Sequence, residues 1–126
     1  MTECDVLVID DEPVVRHAVR RVLEAEGLRV TTADDAESGL ASPALGACRL
    51  VVCDLMLPDR SGIAVLGEIA RRRPDLPVVL ITGYATPDLA LRAEEAGAAA
   101  FLAKPFEARE LVECVRRALA VGRKDA

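Results

Sequence analysis

An aspartate that follows an apolar run is the residue of this sequence best placed for chemistry. Residues 50–53 are apolar at every position, Asp54 follows them, and Pro58 and Gly62 then mark a loop. A run without polar alternation is typical of a strand buried on both faces, as in a parallel sheet covered by helices. In open α/β sheets the ligand site lies beyond the carboxyl ends of the strands. We therefore expect Asp54 to lie at a reaction or binding site.

Four other polar side chains stand where predicted strands end. The first strand runs into Asp10 and Asp11, the fourth into Thr82, and the fifth into Lys104. Because the carboxyl ends of parallel strands meet at one edge of a sheet, we expect these side chains to converge with Asp54. Crowded carboxylates repel one another unless a cation lies among them. Hard oxygen ligands with open water positions suit Mg²⁺.

A metal ion, a hydroxyl and an ammonium around one carboxylate are the groups that phosphoryl transfer onto that carboxylate requires. The metal ion and Lys104 would neutralise the charge of the transferring group, and Asp54 would be the nucleophile. Of the 16 basic residues only Lys104 and Lys124 are lysines. In a chain that otherwise uses arginine, Lys104 favours a need for a compact point charge, although a chance lysine would look the same.

The elements that must position these residues alternate along the chain. Strand patterns, each followed by a helical pattern, occupy residues 5–9, 28–32, 50–53, 77–81 and 98–103. Helix starts are indicated by Pro13, by Asp34 as an N-cap with Glu37 three residues later, and by Thr86 before Pro87. Such alternation predicts parallel strands, right-handed crossovers and helices on both faces. The predicted fold class is α/β: a doubly wound five-stranded parallel sheet, flavodoxin-like (βα)5, in a three-layer α/β/α sandwich.

The second and third predicted helices each have one further sequence feature. Pro43 disfavours continuation of the second helix, since proline removes a hydrogen bond and clashes with the preceding turn. Arg71, Arg72 and Arg73 end the third helix, where cations complement the negative end of the helix dipole. We interpret this run as a solvated helix end rather than as a nucleic-acid patch.

Composition narrows the classes of function. A chain of 126 residues predicts one domain with a substantial core. Its net charge of −5 argues against direct nucleic-acid binding by this domain. No apolar run approaches the ~20 residues of a membrane span, and no secretory signal is evident. The four cysteines are scattered without metal-ligand spacing, so we expect reduced thiols in a cytoplasmic protein.

Taken together, four segments resemble the receiver domain of two-component response regulators. They are Val-Ile-Asp-Asp-Glu (8 to 12), Asp-Leu-Met-Leu-Pro-Asp-Arg-Ser-Gly (54 to 62), Ile-Thr-Gly-Tyr (81 to 84) and Phe-Leu-Ala-Lys-Pro-Phe (101 to 106). Each segment alone is weak, but in order and at the predicted strand ends they are highly specific. The resemblance covers essentially the whole chain. It implies a receiver domain at residues 3–121, with a C-terminal tail or the start of a linker at residues 122–126.

By this resemblance Asp54 is the phosphoacceptor, served by a sensor histidine kinase, a phosphotransfer protein or small phosphodonors. The resemblance implies Mg²⁺, or Mn²⁺ in its place, bound by Asp11, Asp54 and the backbone carbonyl of Met56. Asp10 would bind the ion mainly through water. Lys104 would contact the acyl phosphate.

The resemblance also implies a switch. Thr82 would move to donate a hydrogen bond to a phosphoryl oxygen, and Phe101 would rotate inward as the switch aromatic. The peptide bond before Pro105 is expected to be cis. Met56 and Tyr84 stand at positions that vary across the family, and we hypothesise that their bulk shields the acyl phosphate from water and prolongs the signal.

The function that the resemblance implies is a phosphorylation-driven switch in bacterial signal transduction. Chemistry at Asp54 would rearrange the surface of the fourth helix, fifth strand and last helix, and so control an output domain or partner. The domain would catalyse its own phosphorylation and slow autodephosphorylation rather than act as a conventional enzyme. Homodimerisation on phosphorylation is a further expectation, and no membrane partner is expected.

Other classes of function compete with this reading. A phosphorylation-independent interaction module with a receiver-like fold is disfavoured by the intact acidic pair, Asp54, Thr82 and Lys104. A magnesium-dependent phosphatase would usually carry a second aspartate two residues after the nucleophile, where this chain has Met56. A flavin carrier would have a phosphate-binding loop rich in glycine, serine or threonine after the first strand, where this chain is acidic.

Overall fold

Strands and helices alternate through residues 3–122, which are the residues that the computed structural model describes. The strands are β1 (Val6–Ile9), β2 (Val30–Ala33), β3 (Leu50–Asp54), β4 (Val78–Thr82) and β5 (Ala100–Ala103). The helices are α1 (Pro13–Ala25), α2 (Ala36–Ala41), α3 (Ala44–Ala47), α4 (Gly62–Arg72), α5 (Pro87–Glu95) and α6 (Ala108–Gly122). Of the predicted tail, residue 122 is the last of α6, and residues 123–126 lie outside the described residues.

The five strands form one parallel sheet in the order β2-β1-β3-β4-β5. This arrangement confirms the predicted α/β fold. The register places Ile9 beside Cys53 and Thr82 beside Ala103, so these strands end at a common edge. The polar residues at that edge are thereby brought together by strand pairing alone.

The sheet is covered on both faces. One face packs against α1 and α6, and the other against α2, α3, α4 and α5. Every residue of β1, β3 and β4 is buried, as their unbroken apolar runs predict. Because successive side chains of a strand point to opposite faces, Val52 packs towards α1 and α6 and Cys53 towards the other helices.

Helix boundaries follow local signals at several points. Pro13 begins α1, and the Thr86 hydroxyl caps α5 by accepting a bond of 3.1 Å from the Leu89 N–H. Gly27 and Gly97 follow α1 and α5 with φ of 85° and 99°, a conformation that favours glycine. Within residues 3–122 no helix is long and apolar enough to cross a membrane.

The second predicted helix differs from the expectation in two ways. It is divided into α2 and α3 around Pro43, so residues 3–122 contain six helices rather than five. Its N-cap is Asp35 rather than Asp34, because Asp35 has an extended backbone and its carboxylate accepts a bond of 2.8 Å from the Ser38 N–H. The residue three positions after the cap is therefore Ser38, and the predicted pairing of Asp34 with Glu37 is wrong.

The arginine run at the end of α4 is also not simply a solvated helix end. Arg73 Nη1 donates to the carbonyl oxygens of Leu45 at 3.1 Å and Cys48 at 2.7 Å. Arg72 Nη1 donates to the Leu40 carbonyl oxygen at 2.9 Å. These cations thus serve the carbonyl ends of α2 and α3, which short helices leave without internal partners.

Candidate functional site

A cavity of about 720 Å³ opens at the carboxyl edge of the sheet. It is lined by residues from the ends of β1, β3, β4 and β5 and from the first turns of α1. These are Asp11, Glu12, Val14, Val15, Ala18, Asp54, Met56, Thr82, Gly83, Tyr84, Lys104, Pro105 and Phe106. Most predicted site residues therefore meet at one cavity, while Asp10 is buried beside it and Phe101 is not part of its lining.

Asp54 is held at the end of β3 with both carboxylate oxygens engaged. Its Oδ1 atom accepts a bond of 3.1 Å from the Met56 N–H, and its Oδ2 atom accepts one of 3.1 Å from Lys104 Nζ. The residue is only 4% exposed. The Leu55 N–H donates to the Ile81 carbonyl oxygen at 2.8 Å, so β4 fixes the chain directly after the carboxylate.

Lys104 contacts three carboxylates at this edge of the sheet. Its Nζ atom lies 2.7 Å from Glu12 Oε1, 3.1 Å from Asp54 Oδ2 and 3.3 Å from Asp10 Oδ2. Burial disfavours the charged ammonium, but the bond to Glu12 and the charges of Asp10 and Asp54 outweigh it, so the pKa of Lys104 lies above its ordinary value. The side chain is therefore a fixed positive charge at the cavity. The backbone N–H of Lys104 donates a hydrogen bond of 2.7 Å to the Thr82 carbonyl oxygen, which fixes the backbone at this position.

Asp10 is fully buried beneath the cavity. Its Oδ1 atom accepts a bond of 2.9 Å from the Glu12 N–H, whereas its Oδ2 atom has no hydrogen-bond partner among the described residues. Burial raises the pKa of Asp10, and the charge of Asp54 acts in the same direction. A buried carboxylate oxygen that receives no hydrogen bond, and whose nearest cation is shared with two other carboxylates, favours binding of a further cation.

The acidic cluster fits a divalent cation. Asp10, Glu12 and Asp54 each place a carboxylate oxygen within 4.8 Å of the other two. Anionic oxygens so grouped are the ligands that hard divalent cations prefer, and the Asp10 oxygen without a hydrogen bond supports the fit. The cluster includes Glu12, for which the sequence motif predicts no separate role, while the exposed Asp11 lines the cavity outside this group.

The predicted switch residues lie at different depths. Thr82 is 1% exposed, and its hydroxyl oxygen accepts a bond of 3.1 Å from the Tyr84 N–H. Phe101 is half-buried on β5, next to Leu80 in the strand register, and packs against the core layer that includes α5. The structure therefore brings Thr82 to the cavity and leaves Phe101 on the adjoining face of the sheet.

Met56 and Tyr84 flank the cavity with largely exposed side chains, 56% and 70% respectively. Both side chains line the cavity, and whether they shield the acyl phosphate from water remains a prediction. The peptide bond between Lys104 and Pro105 is cis, in agreement with the sequence expectation.

The loop after Asp54 depends on a close backbone approach. A Cβ atom on Gly62 would lie 2.5 Å from the Asp54 carbonyl oxygen and 2.8 Å from Leu55 Cα, so only glycine fits. The Gly62 N–H donates to the Leu55 carbonyl oxygen at 2.6 Å, and Met56 pairs with Ser61 in an antiparallel bridge. These contacts fold residues 56–61 back against the end of β3.

Two supporting residues were missed from the sequence. Arg16 Nη1 donates to the Asp10 carbonyl oxygen at 2.8 Å, which braces the acidic turn. Asp59 accepts bonds from the N–H groups of Ala36 at 3.0 Å and Glu37 at 2.9 Å, and the bond from Ala36 is the main cause that lowers the pKa of Asp59. Arg16 stands one helical turn after Glu12, which offers a weak signal, whereas nothing in the sequence relates Asp59 to α2.

Comparisons with known proteins agree with this geometry. The family model of the response regulator receiver domain matches residues 6–116. Over 96% of its length the chain is 40% identical to the C4-dicarboxylate transport transcriptional regulatory protein DctD of Pseudomonas aeruginosa. The match spans only 26% of that protein, so the chain is about a quarter of its length.

Two solved structures show the same fold. The receiver domain of NtrX from Brucella abortus has a TM-score of 0.86 and 42% identity, covering 92% of this chain and 98% of that one. A CheY-like response regulator receiver domain protein from Methanospirillum hungatei JF-1 has a TM-score of 0.89 and 29% identity, covering 99% of this chain and all of that one.

Proposed function

The chain belongs to the response regulator receiver domains, the receivers of two-component signalling, and we propose that Asp54 is the residue that accepts the phosphoryl group. The observation that carries this proposal is the setting of the Asp54 carboxylate. It is buried, bonded to Lys104 at 3.1 Å, and lines an open cavity beside an acidic cluster. A carboxylate so placed is reachable as a nucleophile and faces a cation that compensates the incoming charge.

In the proposed transfer, an Asp54 oxygen forms a bond to phosphorus while the bond from phosphorus to the imidazole nitrogen of a phosphohistidine donor breaks. The donor's imidazole takes up a proton and leaves neutral. In hydrolysis, a water oxygen attacks phosphorus, the bond from phosphorus to Asp54 breaks, and inorganic phosphate and a proton are released. The Lys104 ammonium neutralises negative charge on the phosphoryl oxygens in both steps.

We assign the divalent cation as Mg²⁺, with Mn²⁺ as its substitute. Asp11, Asp54 and the backbone carbonyl of Met56 would hold it, and Asp10 would bind it through water. Glu12, which shares the acidic cluster, lies within reach of the same ion. When bound, the ion supplies charge neutralisation at the phosphoryl oxygens.

The switch would follow from Asp54 phosphorylation. The Thr82 hydroxyl oxygen accepts from the Tyr84 N–H, and its own proton remains to donate to a phosphoryl oxygen. Phe101 would then rotate further into the space beside β4, with packing alone to stabilise it. The surface that changes is α5, β5 and α6, and its occupant would be an output domain, another protein or a second copy of the chain.

Upstream, the donor would be a sensor histidine kinase or a phosphotransfer protein. The relative from Pseudomonas aeruginosa is named as a transcriptional regulatory protein, which supports an output in transcription for a longer protein containing this domain. We place the receiver domain at residues 3–121.

Intact mass spectrometry after incubation with acetyl phosphate tests the phosphoacceptor. Wild type should gain one phosphoryl group in the presence of Mg²⁺ and none in EDTA. Asp54→Asn should gain none, whereas Asp35→Asn, which changes the half-buried N-cap carboxylate of α2 outside the cavity lining, should behave as wild type. Phosphorylation of Asp54→Asn, or of wild type without metal, would overturn the assignment.

The same assay tests the shielding hypothesis through the decay of the phosphorylated protein after the donor is removed. Met56→Asn and Tyr84→Ala should each lose the phosphoryl group faster, because water gains access to phosphorus. Leu91→Ala, which truncates a side chain that is 52% exposed and lies outside the cavity lining, is the control. Unchanged decay in both cavity variants would refute shielding.

A further inference from the structure

The first turn of α2 is bonded by two aspartates from different parts of the chain. Asp35, immediately before the helix, accepts the Ser38 N–H at 2.8 Å. Asp59, from the loop between β3 and α4, accepts the N–H groups of Ala36 and Glu37 at 3.0 and 2.9 Å. A single carboxylate that receives two backbone bonds is fixed in orientation as well as position.

The loop that carries Asp59 is the loop that follows the phosphoacceptor. Its start is fixed where the Met56 N–H donates to Asp54 Oδ1, and its end where the Gly62 N–H donates to the Leu55 carbonyl oxygen. Both of these contacts lie at the base of the loop. Asp59 connects the exposed far end of the loop to a different element, α2.

We propose that Asp59 is a positioning residue for the metal site: its two bonds to α2 hold residues 56–61 so that the Met56 carbonyl stays in place beside Asp54. The inference deepens the proposed function and rests on it, since it presumes that the Met56 carbonyl is a metal ligand. A ligand held by outer contacts binds without having to be ordered first. The contact also joins residues 56–61 to α2, on one face of the sheet.

The alternative is that Asp59 only satisfies unpaired amides at the start of a short helix. Asp35 provides the matched control. It accepts a hydrogen bond in the same turn of α2, and within the described part of the chain it makes no hydrogen bond to residues 56–61. Loss of either aspartate weakens the cap. Only loss of Asp59 releases the loop.

The experiment is a titration of the full chain with Mg²⁺ alone, by calorimetry, on wild type, Asp59→Ala, Asp59→Asn and Asp35→Ala. Fluorescence of Tyr84, the only tyrosine in a chain without tryptophan, gives a second readout at the cavity. Thermal unfolding in metal-free buffer measures the cap separately. Asp59→Ala should weaken Mg²⁺ binding about tenfold. Asp59→Asn should weaken it less, because asparagine keeps one acceptor oxygen. The Mg²⁺ affinity of Asp35→Ala should stay within about twofold of that of wild type.

Two results would overturn the inference while leaving the proposed function intact. One is an affinity for Mg²⁺ in Asp59→Ala that equals that of wild type. The other is an equal loss of affinity in Asp35→Ala, which would assign the effect to the helix cap. If Asp59→Ala fails to fold, Asp59→Asn decides by the same criteria. Absence of Mg²⁺ binding by wild type would instead overturn the proposed metal site, and this inference with it.

Discussion

Asp10 is fully buried, and its Oδ2 atom lies 3.3 Å from Lys104 Nζ, without a hydrogen bond from any described residue. The same ammonium is shared with Asp54 and Glu12. One cation among three carboxylates leaves net negative charge at the site, which costs folding free energy that a bound divalent cation would offset. The acidic cluster therefore lowers the stability of the metal-free protein.

Asp10→Asn should raise the free energy of unfolding of the metal-free protein by about 1 kcal/mol, because it removes one of the crowded charges. Urea denaturation in EDTA measures this. The exposed Asp75, changed to Asn, is the control and should stay within about 0.5 kcal/mol of wild type. With saturating Mg²⁺ the order should reverse, since wild type gains the binding free energy. A less stable Asp10→Asn in EDTA would contradict the argument.

Gly62 provides a second test at this scale. Gly62→Ala should cost about 2–3 kcal/mol, because the new Cβ collides with the Asp54 carbonyl oxygen at 2.5 Å and with Leu55 Cα at 2.8 Å, backbone atoms that have no side-chain freedom to yield. Gly67 lies in the same helix with nothing within 4 Å of its added Cβ, so Gly67→Ala should be neutral or stabilise by up to ~1 kcal/mol. Equal effects in thermal unfolding would show that the close approach is not required.

At the scale of elements, α2 and α3 depend on side chains from α4 and its C-cap. Arg73→Ala should lower the free energy of unfolding by about 1–3 kcal/mol, because two carbonyl oxygens lose a charged donor. Arg71, whose side chain is 72% exposed and pairs with Glu68, is the control; Arg71→Ala should change stability by less than about 0.5 kcal/mol. Chemical denaturation compares the two variants, and equal losses would contradict the capping role.

The same dependence explains which elements could be predicted from the sequence. The central strands are unbroken apolar runs, and α1 and α5 begin at Pro13 and after Thr86, so their signals are local. The short α2 is capped by Asp59 and by Arg72, more than 20 residues away. Contacts at that separation leave no periodicity, so the sequence does not reveal the capping role of the arginines. The N-cap is a local feature, but Asp34 and Asp35 are adjacent and of the same type, so residue type alone does not choose between them.

Some residues of the candidate site could likewise be predicted from local signals, and others could not. Asp54, Thr82 and Lys104 could be predicted to converge, because each ends a strand of one parallel sheet. Beyond the end of β1 the backbone leaves the alternation of the strand, so spacing does not decide which of Asp11 and Glu12 faces Lys104. The structure places Glu12 there, at 2.7 Å.

At the scale of the whole molecule, the two edges of the sheet use charge in opposite ways. At the carboxyl edge three carboxylates share the single ammonium of Lys104, whereas at the amino edge Asp5 accepts bonds from the Arg29 N–H at 2.8 Å and from Arg29 Nε at 3.1 Å. Arg49 Nη1 lies 3.6 Å from the same carboxylate. Since Arg29 precedes β2 and Arg49 precedes β3, Asp5 joins the starts of three strands. The amino edge thus pairs its carboxylate with two arginines, whereas the carboxyl edge has an excess of carboxylates over cations.

This pairing predicts how stability depends on pH. The bond from Arg29 lowers the pKa of Asp5 below its usual value of 3.8. A carboxyl group whose pKa is lower in the folded state stabilises the fold above its unfolded pKa, and that contribution is lost as the pH falls through the folded pKa. Asp5→Asn should therefore cost roughly 1 kcal/mol at pH 7, discounted for the exposed Arg29, and the difference from wild type should shrink once the pH falls below 3.8.

Urea denaturation at neutral pH and at successively lower values, at constant ionic strength, measures that difference. Glu3→Gln is the matched control, because Glu3 pairs with the same arginine through Arg29 Nη1 but has a side chain that is 71% exposed. Its removal should have a smaller effect at every pH, since exposed ion pairs are screened by solvent. If the difference between wild type and Asp5→Asn did not change with pH, the Asp5 charge would contribute nothing, and the amino edge would be held by backbone hydrogen bonds and packing alone.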